Sequence, residues 1–384
     1  MIIIAGLSTV LRPSMESDIT LFRSLLPLLF VWLFVWRTEN ALKLSFLIIS
    51  FLLYSLFVSF ISRFEKFNIP YNLYYITLFF FYYYYVEIFK ISSTDNIYRF
   101  LKWLYKALLV LGFIQLLFGG VYINTQDRLP AVNIFFWNEN EFSSVLAILT
   151  PLFFLVQKNV SKYFWILFAV YLMAHNDAKL AILSLIVFFG GYVAIMLKIF
   201  KIKYIGLFLI AFLGITMLIL LKDFHIQGEV TIKSFIGNLA QHLMEQEPLV
   251  HIGTFNARSN AVILGIKEFV NSYFIGIGPG NSRLMMQEIV VPGTEKWTAL
   301  SMHNFTLQLV TEMGVFGLLI LGFFFQRIYY AALHSFYPTN LVYVFYVSCL
   351  ISITLLSGAW SNYFYLFILF YSLDFFKYHA KTKA

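Results

Sequence analysis

Charged residues and cysteine are both scarce in this chain of 384 residues. Only 12% of the residues are charged and 60% are hydrophobic, whereas soluble domains carry roughly 25% charged and about 45–50% apolar residues. The excess of apolar residues is too large for one buried core, and it predicts a chain surrounded mostly by lipid. The single cysteine, Cys349, excludes an internal disulfide and a metal cluster built from cysteines.

Long apolar stretches are abundant, and they predict an all-α polytopic membrane protein. A membrane-spanning helix needs about 20 mostly apolar residues. Stretches that meet or approach this length lie at residues 20–36, 41–62, 69–89, 103–122, 139–157, 163–175, 179–197, 203–221, 303–325, 340–357 and 360–376. Met1–Leu11 is a shorter apolar stretch, so we expect 11 or 12 transmembrane helices.

Lysine and arginine are distributed unevenly among the short connections between these stretches. Most of them lie in one alternating set of connections and in the C-terminal tail. Because cytoplasmic loops are enriched in Lys and Arg, this set is predicted to be cytoplasmic. The formal net charge of +8 is then mainly a topology signal, and we expect no nucleic-acid partner.

This orientation places one long segment on the external, periplasmic side. The chain divides into N-terminal transmembrane helices, this external loop and C-terminal transmembrane helices, at residues 1–222, 223–302 and 303–384. Within the loop, the spacing of apolar residues over Ile232–Met244 predicts an amphipathic helix along the membrane surface. A second helix is predicted over about Ala257–Phe274, and the Gly276–Gly280 run ends it.

The junction between this loop and the next span carries the residue best suited to catalysis. His303 is predicted at the start of the membrane helix, at the outer water boundary, with Asn304 beside it. A neutral imidazole can act as a base near neutral pH, so His303 can accept a proton from a hydroxyl group. The alternative is that His303 and Asn304 only cap the helix and anchor it at the interface.

Glu312 lies nine residues beyond His303, which is about 13–14 Å along a helix. A carboxylate at that depth in a membrane is costly and is usually functional or paired within the helix bundle. The alternative for Glu312 is a structural link to a buried polar group or arginine. Gly314 and Gly317 follow it and permit close helix packing.

Three arginines, Arg128, Arg258 and Arg283, are predicted on the same external side of the membrane. Arginine binds phosphate oxygens in a bidentate manner, so converging guanidinium groups can hold a pyrophosphate and stabilise it as a leaving group. The alternative for each arginine is a salt bridge or an interface anchor. No spacing typical of metal ligands is present. Further candidates for substrate binding lie at the borders of the spans, and they are Asn304, Glu312, Lys179 and Asn140.

Together these segments resemble the superfamily of bacterial O-antigen polymerases and ligases, over roughly residues 128–325. The motifs that carry the resemblance are Asn138-Glu-Asn140 before an apolar span, Arg258 in a loop helix, Gly276-Ile-Gly-Pro-Gly280-Asn281, and His303-Asn304 followed by Glu312-Met-Gly314-Val-Phe-Gly317. The last motif, after a long external loop, is the most specific. The chain departs from the family at Asp177-Ala-Lys179, where many members carry Ser-Arg before the span.

The resemblance implies a membrane glycosyltransferase of the GT-C type in the bacterial inner membrane. It implies undecaprenyl-pyrophosphate-linked glycans as substrates, inversion at the anomeric carbon, and transfer without a metal or another cofactor. It assigns pyrophosphate binding to Arg258, with Arg128 as a second candidate. His303 would activate the acceptor or steady the leaving group, and a chain-length regulator and a flippase would be protein partners.

Two other functions stay open beside polymerisation. A ligase shares the chemistry but transfers finished polymer to lipid A-core, and the compact chain with its 45 Phe residues favours the polymerase. A transporter of lipid-linked glycans would carry charged residues along many spans and show internal symmetry. The polar residues of this chain are instead concentrated in one external loop and its borders.

Overall fold

The computed structural model describes residues 38–64, 67–91, 94–118, 131–134, 139–197, 253–286, 304–335 and 337–353, with residues 31, 35 and 302 and short pieces of 365–376. In these residues the regular elements are helices, as predicted for an all-α protein. They are α1 (Thr38–Ile61), α2 (Ile69–Ile91), α3 (Thr94–Leu117), α4 (Glu139–Val156), α5 (Ser161–His175), α6 (Lys179–Met196), α7 (Gly253–Asn271), α8 (Ser282–Met286), α9 (Phe305–Leu333) and α10 (Thr339–Ile353).

Five helices in this part of the chain are long and apolar enough to cross a membrane, which identifies a membrane protein. These spans are Ala41–Ile61, Tyr98–Leu117, Glu139–Val156, Lys179–Met196 and Phe305–Leu333. Each coincides with a stretch predicted to be transmembrane, and α2, α5 and α10 coincide with three further predicted spans. The predicted span at 203–221, Met1–Leu11 and the predicted helix at Ile232–Met244 lie outside the described residues, as do about half of the span at 360–376 and all of the span at 20–36 except residues 31 and 35.

The chain forms two compact units. The first unit comprises Met1–Tyr54, Ile69–Tyr192 and Gly322–Ala384, and the second unit comprises Ser55–Asn68 and Val193–Leu321. The second unit therefore contains α7, α8 and the first part of α9.

Helix α4 forms the centre of the first unit. Of its span, 72% is buried, against 28–39% in the other four spans, so protein surrounds most of it. It packs against α3, α5 and α10. Tyr105 of α3 shares a hydrogen bond with Thr150 (3.0 Å), and the hydroxyl of Ser144 donates to the backbone oxygen of Ser352 in α10 (3.2 Å). Such contacts fix the positions of helices in a membrane, where apolar packing alone gives little direction.

The core of the second unit joins α7, α8 and the start of α9. Phe64 and Leu307 pack against it. The buried residues of this cluster are Ala261, Leu264, Ile277, Met285, Met286 and Met302. Helix α7 confirms the loop helix predicted over about Ala257–Phe274, and the glycine-rich run that follows is non-helical, as predicted.

Candidate functional site

Helix α9 is broken at Gly314, whose backbone has φ +53° and ψ −133°. A positive φ is unfavourable for a residue with a Cβ atom, and glycine adopts it freely. A Cβ at this position would also overlap the carbonyl group of Ile275. Glycine is therefore required at residue 314 for a close approach of the preceding loop, in addition to any role in helix packing.

The Gly276–Gly280 turn supplies hydrogen bonds that α9 loses at the break. The N–H of Ile277 donates to the carbonyl oxygen of Thr311 (3.0 Å), and the N–H of Gly278 donates to that of Glu312 (2.9 Å). In an unbroken helix these carbonyls would accept from N–H groups four residues later. Non-helical backbone at membrane depth is tolerated where protein groups satisfy it, so the turn and the break stabilise each other.

Gly276 lies directly against the break. Its φ is +93°, and a Cβ there would lie 2.6 Å from the nitrogen of Gly314 and 2.7 Å from the carbonyl oxygen of Glu312. On the other side of the break, the N–H of Val315 donates to the carbonyl oxygen of Phe274 (2.8 Å). Gly276 and Gly314 thus lie at the contact between the backbones of the turn and of α9. The glycine-rich run ends α7 and also binds α9.

The side chain of Glu312 is fully buried beside this turn. Its Oε1 accepts a hydrogen bond from the hydroxyl of Ser282 and another from Nε2 of Gln308 at 3.0 Å. Glu312 therefore joins α8 to α9. Neither partner was among the predicted site residues. Gln308 precedes Glu312 by four residues, a spacing that signals a shared helix face, whereas Ser282 is 30 residues away.

Two of the arginines predicted to bind pyrophosphate belong to this unit. Arg283 follows Ser282 in α8 and is exposed. Arg258 lies in α7, seven residues before Gly265, so the two backbone positions fall on nearly the same side of the helix. Gly265 meets α9 directly, because its carbonyl oxygen accepts a hydrogen bond from the hydroxyl of Thr311 (3.3 Å).

The two candidates at the start of α9 have different outcomes. The side-chain oxygen of Asn304 accepts a hydrogen bond from the N–H of Leu307 (3.0 Å), which is the contact of an N-cap residue. Asn304 therefore stabilises the beginning of α9. His303 lies outside the described residues, and its proposed role as a base stays a prediction.

A contact that the sequence did not signal ties the end of α1 to α7 and to the turn. Arg63 forms a bidentate ion pair with Glu268 of α7, with Nη2–Oε1 at 2.9 Å and Nε–Oε2 at 3.0 Å. Its neighbour Ser62 donates to the carbonyl oxygen of Ile277 (2.9 Å). These bonds hold α7 and the glycine-rich turn to the same short segment.

Two further candidates, Asn140 and Lys179, lie in the first unit, next to residues that hold the segment 131–134. Asn176 holds this segment, because its Oδ1 accepts from the N–H of Val132 (2.9 Å) and its Nδ2 donates to the carbonyl oxygen of Val132 (2.8 Å). Gln115 of α3 accepts from the N–H groups of Asn133 and Ile134 at 3.0 and 2.6 Å. Two side-chain amides thus fix a short irregular segment.

Asn140 and Lys179 flank this arrangement. Asn140 is half-buried in the first turn of α4, and its carbonyl oxygen accepts from the hydroxyl of Ser144 (2.8 Å). Lys179 begins α6, and its Nζ lies 3.5 Å from Oδ2 of Asp177 in an exposed ion pair, a type of contact that contributes little stability. Arg128 lies outside the described residues.

Comparison with known proteins adds no relative to this picture. No protein-family model matches the chain, and no curated protein is significantly similar to it. The resemblance carried by the motifs therefore stays a prediction.

Proposed function

We propose that the chain is a GT-C-type glycosyltransferase with 11 or 12 spans in the bacterial inner membrane. It would polymerise oligosaccharide repeat units carried on undecaprenyl pyrophosphate, with residues 223–302 on the periplasmic side. The observation that supports this proposal most is the common core of α7, α8 and the start of α9. Arg258 lies in the first of these segments, Arg283 lies in the second, and His303 precedes the third by two residues.

In the proposed reaction, a sugar hydroxyl of one lipid-linked repeat unit attacks the anomeric carbon of a second lipid-linked glycan. The new carbon–oxygen bond forms opposite the bond to pyrophosphate, which breaks, so the configuration at the anomeric carbon inverts. His303 takes the proton of the attacking hydroxyl. Undecaprenyl pyrophosphate leaves with the bonding electrons, and Arg258, Arg283 and Arg128 stabilise its charge without a metal.

Glu312 has a different place in this proposal, as a positioning residue. It is fully buried and bonded to Ser282, the residue before Arg283. It therefore sets where α8 and its arginine lie relative to α9. Asn304 would act in the same way, by fixing the first turn of α9 beside His303. Lys179 and Asn140 would contribute to glycan binding from the first unit.

Substitution of the arginine and the histidine in cells tests the site. In a strain that lacks the native gene, we expect Arg258→Ala and His303→Ala to leave core with a single repeat unit, while the protein is made at normal level. The purified Arg258→Ala protein should lose about 10²–10³-fold in transfer rate, the cost of removing one preorganised charge-stabilising group. Arg99→Ala, which removes an exposed cation from α3, is the matched control and should retain normal polymer.

The two variants, a gene deletion and an assay of the purified protein together separate the competing functions. A normal distribution of polymer lengths in both variants, at normal protein level, would overturn the site assignment. Loss of all repeat units from core on gene deletion would indicate the ligase. Failure of the purified protein to form a new glycosidic bond from two lipid-linked substrates would indicate a transporter.

The positioning role of Glu312 has its own test. A glutamine at residue 312 keeps an acceptor oxygen for the donors from Ser282 and Gln308, so we expect Glu312→Gln to retain most of the transfer activity. Glu312→Ala leaves both donors without their acceptor, and a displacement of about 1 Å can lower a rate about 10²-fold. If Glu312→Gln is folded but inactive, the carboxylate charge acts directly and the positioning role is wrong.

A further inference from the structure

Helix α7 has three distinct sides. One side packs against the core of the second unit through Ala261, Leu264, Gly265 and Glu268, all of which are buried. A second side is apolar and exposed, and we call it the α7 ridge. It consists of Val262, Ile266 and Val270, which are 37%, 47% and 51% exposed. A third side is polar and exposed, and it carries Lys267 and Asn271.

The α7 ridge follows the helical repeat, because its members are four residues apart and therefore form one stripe. A stripe of branched aliphatic side chains facing water is unusual for a soluble loop helix, since contiguous exposed apolar surface generally marks a binding surface. A helix wholly inside lipid would not carry an exposed lysine beside that stripe. The division into a packed, an apolar and a polar side is typical of a helix at the membrane–water boundary.

The apolar surface continues from α7 onto a membrane-spanning helix. Tyr273 and Phe274 follow the ridge and are 84% and 50% exposed. The carbonyl oxygen of Phe274 accepts the N–H of Val315 in α9. Val315 is itself exposed, as is Leu319 one turn later, with 48% and 65% of their surfaces accessible. The ridge therefore runs into the surface that α9 presents to lipid.

The length of α9 after its break sets the depth of this junction. Val315 is the first residue after Gly314, and the 19 residues at 315–333 reach about 28 Å. A hydrocarbon core is about 30 Å thick, so this part of α9 alone crosses nearly all of it. Val315 and the carbonyl of Phe274 therefore lie near the hydrocarbon boundary at the N-terminal end of this span.

We propose that α7 lies half-immersed in the membrane leaflet at the N-terminal end of α9. Its ridge contacts the acyl chains of bilayer lipids, while Lys267 and Asn271 face the headgroups and water. Lysine suits this position, because its aliphatic stem lies along apolar surface and its ammonium group reaches the phosphates. Part of the predicted external loop is thus a lipid-binding element, and Arg258 belongs to a helix held at headgroup level.

Spin labelling of the full-length chain tests the proposal. Replacement of the one native cysteine, by Cys349→Ser, gives a background for single labels at Val262, Ile266 and Val270, with Lys267 and Asn271 as controls on the same helix. The protein is placed in nanodiscs of phosphatidylethanolamine and phosphatidylglycerol, and accessibility to oxygen and to a water-soluble nickel complex is measured. We expect the oxygen-to-nickel ratio to be severalfold higher at the three ridge positions than at the two controls.

Two results would overturn this proposal. Equal nickel accessibility at ridge and control positions would place the ridge in water. Low accessibility to both reagents, with dipolar broadening between labels, would show that a second copy of the chain covers it. A photoreactive benzoylphenylalanine at Ile266, in a chain that keeps Cys349, gives an independent readout. Adducts with the mass of a phospholipid are expected there, and cross-linked dimers without them would exclude lipid as the occupant.

Discussion

Two irregular segments, one in each unit, lie beside candidate site residues, and they are held in opposite ways. Residues 131–134 are held by side chains, because the amides of Gln115 and Asn176 bond their backbone. The Gly276–Gly280 turn is held by backbone, because its N–H groups bond carbonyl oxygens exposed by the break in α9. The first arrangement depends on the residues around the segment, and the second depends on the residues within it.

This difference sets which substitutions each segment tolerates. Contact between two backbones leaves no room for a Cβ, so Gly276 and Gly314 are required by both conformation and space. A side-chain amide reaches the backbone from a distance and leaves room for other residues. Ile134 shows this latitude, since it is a β-branched residue with φ +54°, a conformation that such residues rarely adopt.

The largest expected effect is that of Gly314→Ala. The added Cβ would overlap the carbonyl of Ile275 while φ is positive, and the turn would have to leave the break. We expect the free energy of unfolding to fall by about 4 kcal/mol or more, a change that only a few severe mechanisms produce. Thermal unfolding of the purified protein measures it. Gly322→Ala in the same helix is the control, since nothing lies within 4 Å of its added Cβ. Equal stability of the two variants would show that the break is not required.

The next effect concerns the side-chain arrangement. Asn176→Ala removes the partners of a buried N–H and a buried C=O of Val132. We expect the free energy of unfolding to fall by about 2–4 kcal/mol. The control is Asn159→Ala, at an exposed position between α4 and α5, with an expected change within about 0.5 kcal/mol. A loss no larger than that of the control would mean that water or another group replaces Asn176.

The same difference decides what the sequence could reveal. Hydropathy is a local signal, so the five spans were predictable, and glycine is visible wherever it stands, so the end of α7 was predictable too. The partners of polar side chains are not local. Arg63 and Glu268 are separated by 205 residues, and Asn176 and Val132 by 44. No pattern along the chain signals either pair.

The same distinction between local and distant signals applies to the residues of the candidate site. The sequence singled out Glu312 because a carboxylate in an apolar stretch is conspicuous, and the structure supplies the partners that explain its burial. Gln308 was within reach of a spacing argument, whereas Ser282 was not, because a hydroxyl in a loop carries no signal of its own. His303 and Arg128 lie outside the described residues, so their roles stay predictions.

The smallest expected effect is at residue 134, and it tests the comparison of the two segments most directly. At this position we expect glycine to give a more stable protein than alanine, which is the reverse of their order in a helix. Both Ile134→Ala and Ile134→Gly remove the half-buried side chain, so the difference between them isolates the backbone. A left-handed conformation costs an L-residue roughly 1–2 kcal/mol, and glycine avoids that cost. We therefore expect the Ile134→Gly variant to be more stable than the Ile134→Ala variant by about 1 kcal/mol. At a helical position such as residue 322, alanine is instead more stable than glycine by about the same amount. If alanine were the more stable residue at 134 as well, the amides of Gln115 and Asn176 would not be holding this segment in a left-handed conformation, and the contrast between the two units would be lost.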